Sequence, residues 1–401
     1  MLKRLIHAVV VFISRFAAKL LPDRVPVTFV GADAVRELAQ AIGHRGVTKA
    51  LVVTDATLVE LGIVDRITTS LDDQGIIHHT YDGVSPDPTF TQVEEGFARY
   101  VSEGCDGVIA VGGGSPMDAA KVIAAMATND KSLAQLEGKF KVRRPPAPLF
   151  AVPTTAGTGS EGTVAAVVSD PDTHAKKFFL DPKLLPSMVA LDPTLMTGLP
   201  APITAATGMD ALTHAVESFI AKTSTPATEE YALTAVRLVF AHLPTAVHEG
   251  DDLEARSGMA LASYYAGLAF TRTSVGYVHA VAHTLGAYYG TPHGLANAIV
   301  LPHVLAFSKA DAQAQLARLA DVLDLGGSTP ADKADRFIDA VRDLEATIGI
   351  PATLDTIKPA DIGPIAEQAL AEAWLDYPVP TYMTQAQCEA LLTRIADPLA
   401  A

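Results

Sequence analysis

Three histidines, His279, His283 and His293, fall in the stretch GYVHAVAHTLGAYYGTPHG, residues 276–294, whose other members are mostly small or apolar. Histidine is neither a common core residue nor a usual solvated-face residue. An earlier stretch, ATGMDALTHAVESF, adds Asp210 and His214. Asp210 and His214 are spaced i, i+4, as are His279 and His283, so each pair lies on one face of a helix. His293 follows Pro292 across the turn GTP. Two helices and a turn therefore offer five potential ligands. Any one of these histidines alone reads most simply as a satisfied core residue. The set, imidazoles beside a carboxylate, suits a divalent cation such as Zn²⁺ or Fe²⁺.

A second chemistry is suggested by VIAVGGGSPMDAAKVIA, which places Gly112, Gly113 and Gly114 between an apolar run and a helical one. Ser115 reads as the N-cap, Pro116 as the first helical residue, and Asp118 as the acidic member of a capping box. Glycines let a ligand approach the backbone, and the N–H groups of a helix start attract phosphate. The pattern is neither the spaced G-x-G-x-x-G fingerprint nor a P-loop, so a tight turn without a ligand stays open at this point. In AVPTTAGTGSEGT, Thr154, Thr155 and Thr158 set hydroxyls on a loop after another apolar run, suited to a nicotinamide or ribose. Two polar loops at strand ends favour a dinucleotide cleft. Asp55 closes KALVVTD, where a carboxylate can accept from the adenosine ribose and repel the extra phosphate of NADP. It also suits the N-cap of ATLVELG, and the two roles can coexist.

The elements that must position these residues divide the chain. From residue 27 to about 190, KALVVTD, GVIAVGGG and PLFAVPTT read as buried parallel strands, continuously apolar because both faces are covered. AVRELAQAIGHRG and TQVEEGFARYVSEGC read as the helices between them. After DPTLMTGLP the strand signals stop, and four long segments with helical spacing follow, separated by Pro, Gly and Asp clusters. The expectation is an N-terminal α/β nucleotide-binding domain with a mostly parallel sheet over residues 27–196, followed by an all-helical metal-binding and catalytic domain over 197–401.

The first 26 residues, MLKRLIHAVVVFISRFAAKLLPDRVP, begin basic and turn apolar, but Leu5–Ser14 is too short an uncharged run to span a bilayer. They read as an amphipathic helix docked on the protein or a neighbouring subunit, with peripheral membrane attachment the alternative. The composition, 49% hydrophobic and 19% charged, is globular. A net charge of −15 with no basic run argues against a nucleic-acid surface. Cys105 and Cys388, too few for a disulfide framework, read as reduced thiols in a cytoplasm.

Taken in order, KALVVTDATL, GGGSPMDAAK, PTTAGTGSE, DPTLMTGLP, ATGMDALTHAVE, HAVAHTLGAYYGTPHG and ANAIVLPHV resemble the iron-containing, or group III, metal-dependent alcohol dehydrogenases. The likeness extends more weakly through IGIPATL to the C-terminus, where DYPVPTY departs from the usual ending. The resemblance implies that Asp210, His214, His279 and His293 hold the metal, iron by family with Zn²⁺ or another divalent ion as the alternative. That corrects the inclination from spacing, which would use both His279 and His283. His283 then stands beside the metal, suited to proton transfer or substrate binding. For NAD, the resemblance implies contacts from Asp55, Asp87, Gly113, Gly114, Ser115, Asp118, Thr154, Thr155, Thr158, Thr163 and Lys176. Asp87 stands where relatives often have asparagine, and Lys177 is the close alternative to Lys176. Ala165 and Phe270 fall at substrate-pocket positions, implying a roomy, apolar pocket.

The activity so implied is NAD-dependent alcohol dehydrogenation. The metal stabilises the alkoxide of a primary or small secondary alcohol, hydride passes to the nicotinamide, and the proton leaves by way of His283. The reverse reaction reduces an aldehyde or ketone. Family relatives are often dimers or larger, so a homo-oligomer is expected. Glycerol or other polyol dehydrogenases and dehydroquinate synthases share the architecture, but His279 in the fourth ligand position favours the alcohol enzymes. A non-catalytic metal- or nucleotide-binding homologue is opposed by the intact metal set and His283. A metalloprotease would need HExxH, which the chain lacks.

Overall fold

The computed structural model describes residues 24–171 and 175–396. The N-terminal amphipathic helix expected over residues 1–26 lies outside them up to Asp23, and Arg24–Pro26 are not helical. Residues 24–198 form one compact unit, and the chain from Leu199 onward belongs to a second.

The first unit runs β1 (Val27–Val30), α1 (Ala34–His44), β2 (Lys49–Val53), α2 (Ala56–Glu60), α3 (Ile63–Asp72), β3 (Ile77–Tyr81), α4 (Phe90–Glu103), β4 (Gly107–Gly112), α5 (Gly114–Met126), α6 (Leu133–Leu136), β5 (Gly138–Lys139), β6 (Leu149–Pro153), β7 (Ala165–Ser169), β8 (Lys176–Leu180) and β9 (Met188–Leu191). Six strands form a parallel sheet in the order β1-β9-β6-β4-β2-β3. In a small second sheet β8 pairs parallel with β5 and antiparallel with β7. Strands β4, β6 and β9 are buried throughout and β2 is buried after Lys49, which is why they read as unbroken apolar runs. Leu38 and Ile42 of α1 pack with Ile67 and Leu71 of α3 against Ile109, Val111, Phe150 and Val152 of the sheet.

The edge strands β1 and β3 were not singled out from the sequence. Strand β3, IHHTY, carries two histidines and a threonine, and pairing with β2 along its whole length overrides its weak pattern. The chain runs from β2 outward to β3, then crosses back to place β4 on the other side of β2. Strand order thus reverses between β2 and β4, and the crevice beyond the carboxyl ends of such a pair is where doubly wound sheets take ligands. The opposite ends of these two strands are clamped by Asp106, whose carboxylate accepts from Thr48 N (3.0 Å), Lys49 N (2.9 Å) and Thr48 Oγ1 (2.7 Å).

The second unit is helical, with no strand among its described residues. It comprises α7 (Ala201–Ile220), α8 (Pro226–His248), α9 (Leu253–Thr273), α10 (Tyr277–Tyr289), α11 (His293–Val322), α12 (Pro330–Thr347), α13 (Ile362–Asp376) and α14 (Gln385–Ala396). Helix α7 is buried at every position from Gly208 to Ile220, as a helix apolar nearly all round must be, and packs against α8, α9 and α11. The starts of its neighbours are legible: Thr225 caps α8 with Pro226 at the first position, Asp252 caps α9, and Thr329 caps α12 before Pro330. No helix among the described residues is long and apolar enough to cross a membrane.

Burial pushes the Asp106 carboxyl up, but the hydrogen bonds from Lys49 and Thr48 outweigh it and hold its pKa below the ordinary value. A depressed carboxylate stabilises the fold above its unfolded pKa, and that stability disappears as pH falls through the folded value. Asp106→Ala should therefore cost about 1–3 kcal/mol at pH 7. Denaturant titrations should show the gap to wild type closing as the solution is acidified through that lowered pKa.

Candidate active site

Helix α7 presents Asp210 and His214 one turn apart, and α10 presents His279 and His283 in the same way. His293, expected on a turn, is instead the first residue of α11 with Pro292 before it, so three helices supply the cluster. Gly294 allows this start: a Cβ there would lie 2.3 Å from the Ala206 carbonyl oxygen of α7, a backbone atom that cannot give way. Asp210 Oδ1 lies 3.4 Å from His293 Nε2, 3.8 Å from His279 Nε2 and 3.9 Å from His214 Nδ1. One donor atom each from Asp210, His279 and His293 falls within 4.8 Å of the others. The His214 ring is stacked between Phe270, at 4.1 Å, and His279, at 4.5 Å. Asp210, His214 and His279 are buried, whereas 39% of the His293 side chain is exposed.

Two buried residues that sequence reasoning did not name complete the cluster. Glu217 Oε2 accepts from His279 Nδ1 at 2.7 Å, while its two oxygens take the N–H groups of Gly276 (2.7 Å) and Val278 (2.8 Å). In its ionised form a carboxylate already accepting from the backbone leaves Nδ1 as the protonated nitrogen, and turns the Nε2 lone pair of His279 toward Asp210. Asn297, one turn beyond His293, donates from Nδ2 to Asp210 Oδ1 at 2.7 Å and lies 3.1 Å from His293 Nε2 and 3.3 Å from His279 Nε2. Its buried Oδ1 meets no donor among the described residues. Burial pushes the Glu217 carboxyl up to about 8, against the backbone hydrogen bonds that lower it. Burial, and then the neighbouring imidazoles, hold His279 well below its ordinary value. The Asp210 carboxylate and the converging ring nitrogens of His279 and His293 are a donor set that a divalent cation fits.

His283 stacks on His293 with ring centroids 5.2 Å apart and meets His279 edge-on at 5.9 Å. Its Nδ1 lies 2.7 Å from Glu372 Oε1, and the Tyr377 hydroxyl donates to that oxygen at 2.5 Å. Glu372 had no signal in the sequence, being 89 residues from His283.

The α/β unit gathers the other expected residues at the ends of adjacent strands. Asp55, beyond β2, caps α2 by accepting from Leu58 N at 3.0 Å. At the end of β4, Gly112 turns at φ +143° and α5 begins with Gly113 as N-cap. Ser115 is therefore not the cap: it lies inside the first turn, and Asp118 closes no capping box. A glycine cap leaves the first N–H groups of α5 without a side-chain partner, the arrangement that suits an anion. A Cβ on Gly113 would come within 3.1 Å of Thr155 Oγ1, and one on Gly114 within 3.0 Å of Thr158 Cγ2, so the glycine and threonine loops lie against each other. Thr155 and Thr158 are half-buried and Thr154 is buried.

Other expected contacts are engaged inside the protein. Asp118 accepts from Ser160 Oγ (2.8 Å) and Val167 N (2.9 Å). Thr163 Oγ1 accepts from Lys121 Nζ at 2.8 Å, and Lys121, fully buried and unforeseen, also donates to Ser160 Oγ and to the carbonyl of Ala165, both at 2.7 Å. Burial brings the Lys121 ammonium down to about 8. Lys176 pairs with Asp87 at 2.9 Å, and Lys177 with Glu137 at 3.3 Å.

The family model described as iron-containing alcohol dehydrogenase matches residues 26–193, and that of the C-terminal part of the Fe-containing family matches 204–396. The chain belongs to this family. The 1,3-propanediol dehydrogenase of Citrobacter freundii is 42% identical over 352 residues, 86% of this chain and 91% of that one. A crystal structure of 1,3-propanediol oxidoreductase superposes with a TM-score of 0.90 at 40% identity, covering 92% and 98% of the two chains. Sulfoacetaldehyde reductase from Bifidobacterium kashiwanohense, solved in complex with NAD⁺, gives a TM-score of 0.86 at 30% identity, covering 93% and 98%.

The protein is accordingly an alcohol dehydrogenase, an oxidoreductase that interconverts alcohols and carbonyl compounds with NAD and a metal. In this dehydrogenase Glu217 and Asn297 were discoverable only as helix-face neighbours of His214 and His293. Because Glu217 sets the tautomer of His279, Glu217→Gln should weaken metal affinity about 10–100-fold. Competition against a coloured chelator measures this directly.

Proposed function

We propose that this dehydrogenase carries iron on Asp210, His214, His279 and His293, with Zn²⁺ able to take the same donors, and oxidises a primary or small secondary alcohol. The observation that carries this reading is the convergence of Asp210, His279 and His293 donor atoms within 4.8 Å, with His279 held by Glu217. When bound, the cation supplies Lewis acidity at the alcohol oxygen and NAD accepts the hydride. His283 receives the alcohol's proton. Phe270, flat against His214, walls the substrate side in the helical unit, and Ala165 leaves room at its own position. The N–H groups at the start of α5 take the pyrophosphate, Thr155 and Thr158 offer hydroxyls to the sugar and nicotinamide, and Asp55 takes the adenosine ribose. Asp87 and Lys176 meet the cofactor as an ion pair, and Ser115, Asp118, Thr154 and Thr163 shape its loops. Buried free thiols at Cys105 and Cys388 suit a cytoplasmic, reducing setting, and the exposed valines of edge strand β1 suit a homo-oligomer.

His279→Ala should remove most bound metal together with activity. His283→Ala should keep the metal and slow turnover by about 10²-fold, the size of a lost acid–base group. Metal analysis of both variants decides the assignment, and equal metal loss in the two would sink it.

Asp55 places a carboxylate where NADP would bring a phosphate. Like-charge juxtaposition costs several kcal/mol, so a preference for NAD of at least ~10²-fold is expected. Asp55→Ser keeps a capping oxygen for Leu58 N while removing the charge, and should relax the preference chiefly by improving NADP use. The measured quantity is kcat/KM for both cofactors; an unchanged ratio would refute the role.

A further inference from the structure

His283 lies one turn beyond His279 on α10, with 23% of its side chain exposed. A partly solvated imidazole can rotate and can carry its proton on either nitrogen, and either change takes it out of productive proton transfer. Two residues from the C-terminal part of the chain remove that freedom. Glu372, on α13, holds His283 Nδ1 at 2.7 Å. A carboxylate only accepts, so Nδ1 carries the hydrogen and Nε2 keeps its lone pair. The same oxygen, Oε1, receives the Tyr377 hydroxyl at 2.5 Å. Tyr377 is buried, and burial followed by the charge of Glu372 keeps its phenol well above the ordinary value, so it remains a donor throughout the neutral range.

The local sequence explains why Tyr377 stands there. Pro378 disfavours helical backbone at the residue before it, so α13 ends at Asp376 and Tyr377 is extended, at φ −109° and ψ 114°. The Pro378 carbonyl accepts from Lys222 N at 2.8 Å, just past the end of α7, and Val379 is buried. The backbone of this stretch thus fixes the tyrosine just past α13, with its hydroxyl on Glu372.

We propose that Glu372 and Tyr377 are positioning residues that act through His283: Tyr377 steadies the carboxylate, and the carboxylate holds the imidazole in one orientation with Nε2 open to the proton of the reacting alcohol. The inference rests on the assignment of proton transfer to His283. In the oxidation the alcohol O–H bond breaks and an N–H bond forms at Nε2. The hydride goes to NAD, and the positive charge gained by the ring is balanced by Glu372 until the proton passes to water at its exposed edge.

The test uses the full chain loaded with metal, in the variants Glu372→Gln, Tyr377→Phe, His283→Ala and the double variant Glu372→Gln/His283→Ala. Metal per chain, NADH affinity by fluorescence, kcat and KM are measured for each. Glu372→Gln should lower kcat about 10–100-fold while metal content, NADH affinity and KM stay as in wild type. Tyr377→Phe should give a smaller fall in kcat alone, and decides the matter if Glu372→Gln does not fold. The double variant should be no slower than His283→Ala, because Glu372 reaches the reaction only through that ring. Wild-type kcat in Glu372→Gln, a fall explained by lost metal, or a further fall in the double variant overturns the proposal while leaving His283 in place. Wild-type kcat in His283→Ala overturns the proton-transfer assignment, and this inference with it.

Discussion

The helical unit is organised around two carboxylates that its core cannot bury cheaply. Asp210 and Glu217 lie two turns apart on the same face of α7, with His214 between them, and both are almost fully shielded from water. A buried carboxylate without compensation costs several kcal/mol, so every neighbour must bring a donor or a positive charge. Glu217 is met by backbone N–H groups at the start of α10 and by His279, and Asp210 by Asn297 and the imidazoles. Gly294 lets α11 start close against α7, beside this cluster.

The α/β unit handles charge by other means. The donors it offers beyond β4 are backbone N–H groups at the glycine-capped start of α5, which need no side chain and cannot be misprotonated. Behind them, buried Lys121 ties Ser160, Thr163 and Ala165 together, so the threonine loop rests on an internal polar frame. Asp118, beside that frame, accepts from Ser160 and Val167. Side chains that the family resemblance assigns to the cofactor are in this way engaged in holding the threonine loop.

In the proposed reaction, proton handling falls to a residue at the margin of the metal cluster. His283 shares a helix with His279 and a ring stack with His293, yet its nearest polar partner is Glu372 of α13. A catalytic imidazole has to keep contact with water, and contact with water loosens it. A carboxylate brought in from a separate helix resolves that conflict without burying the ring.

Much of this was legible in the amino-acid order. Buried strands β2, β4 and β6, the principal helices, the i, i+4 pairs on α7 and α10, and the glycine and threonine loops all follow from periodicity and residue type, which act over a few residues. The residues beyond that reach were decided by tertiary structure. The edge strand β3 forms because β2 is beside it, not because IHHTY favours a strand. Ser115 looks like a helix cap, but the cap of α5 falls two residues earlier, on Gly113, where the glycines pack against Thr155 and Thr158. Lys176 finds Asp87 and Lys177 finds Glu137 because adjacent residues on β8 point to opposite faces, and only the sheet's placement says which partner lies on each. Glu372 could not be linked to His283 from sequence at all, since a contact across 89 residues exists only once α13 has packed on α10. Local order determined which chemical groups the chain possesses and which short elements carry them; long-range packing decided which of those groups meet, because hydrogen bonds and buried charges select partners by distance in space, not along the chain.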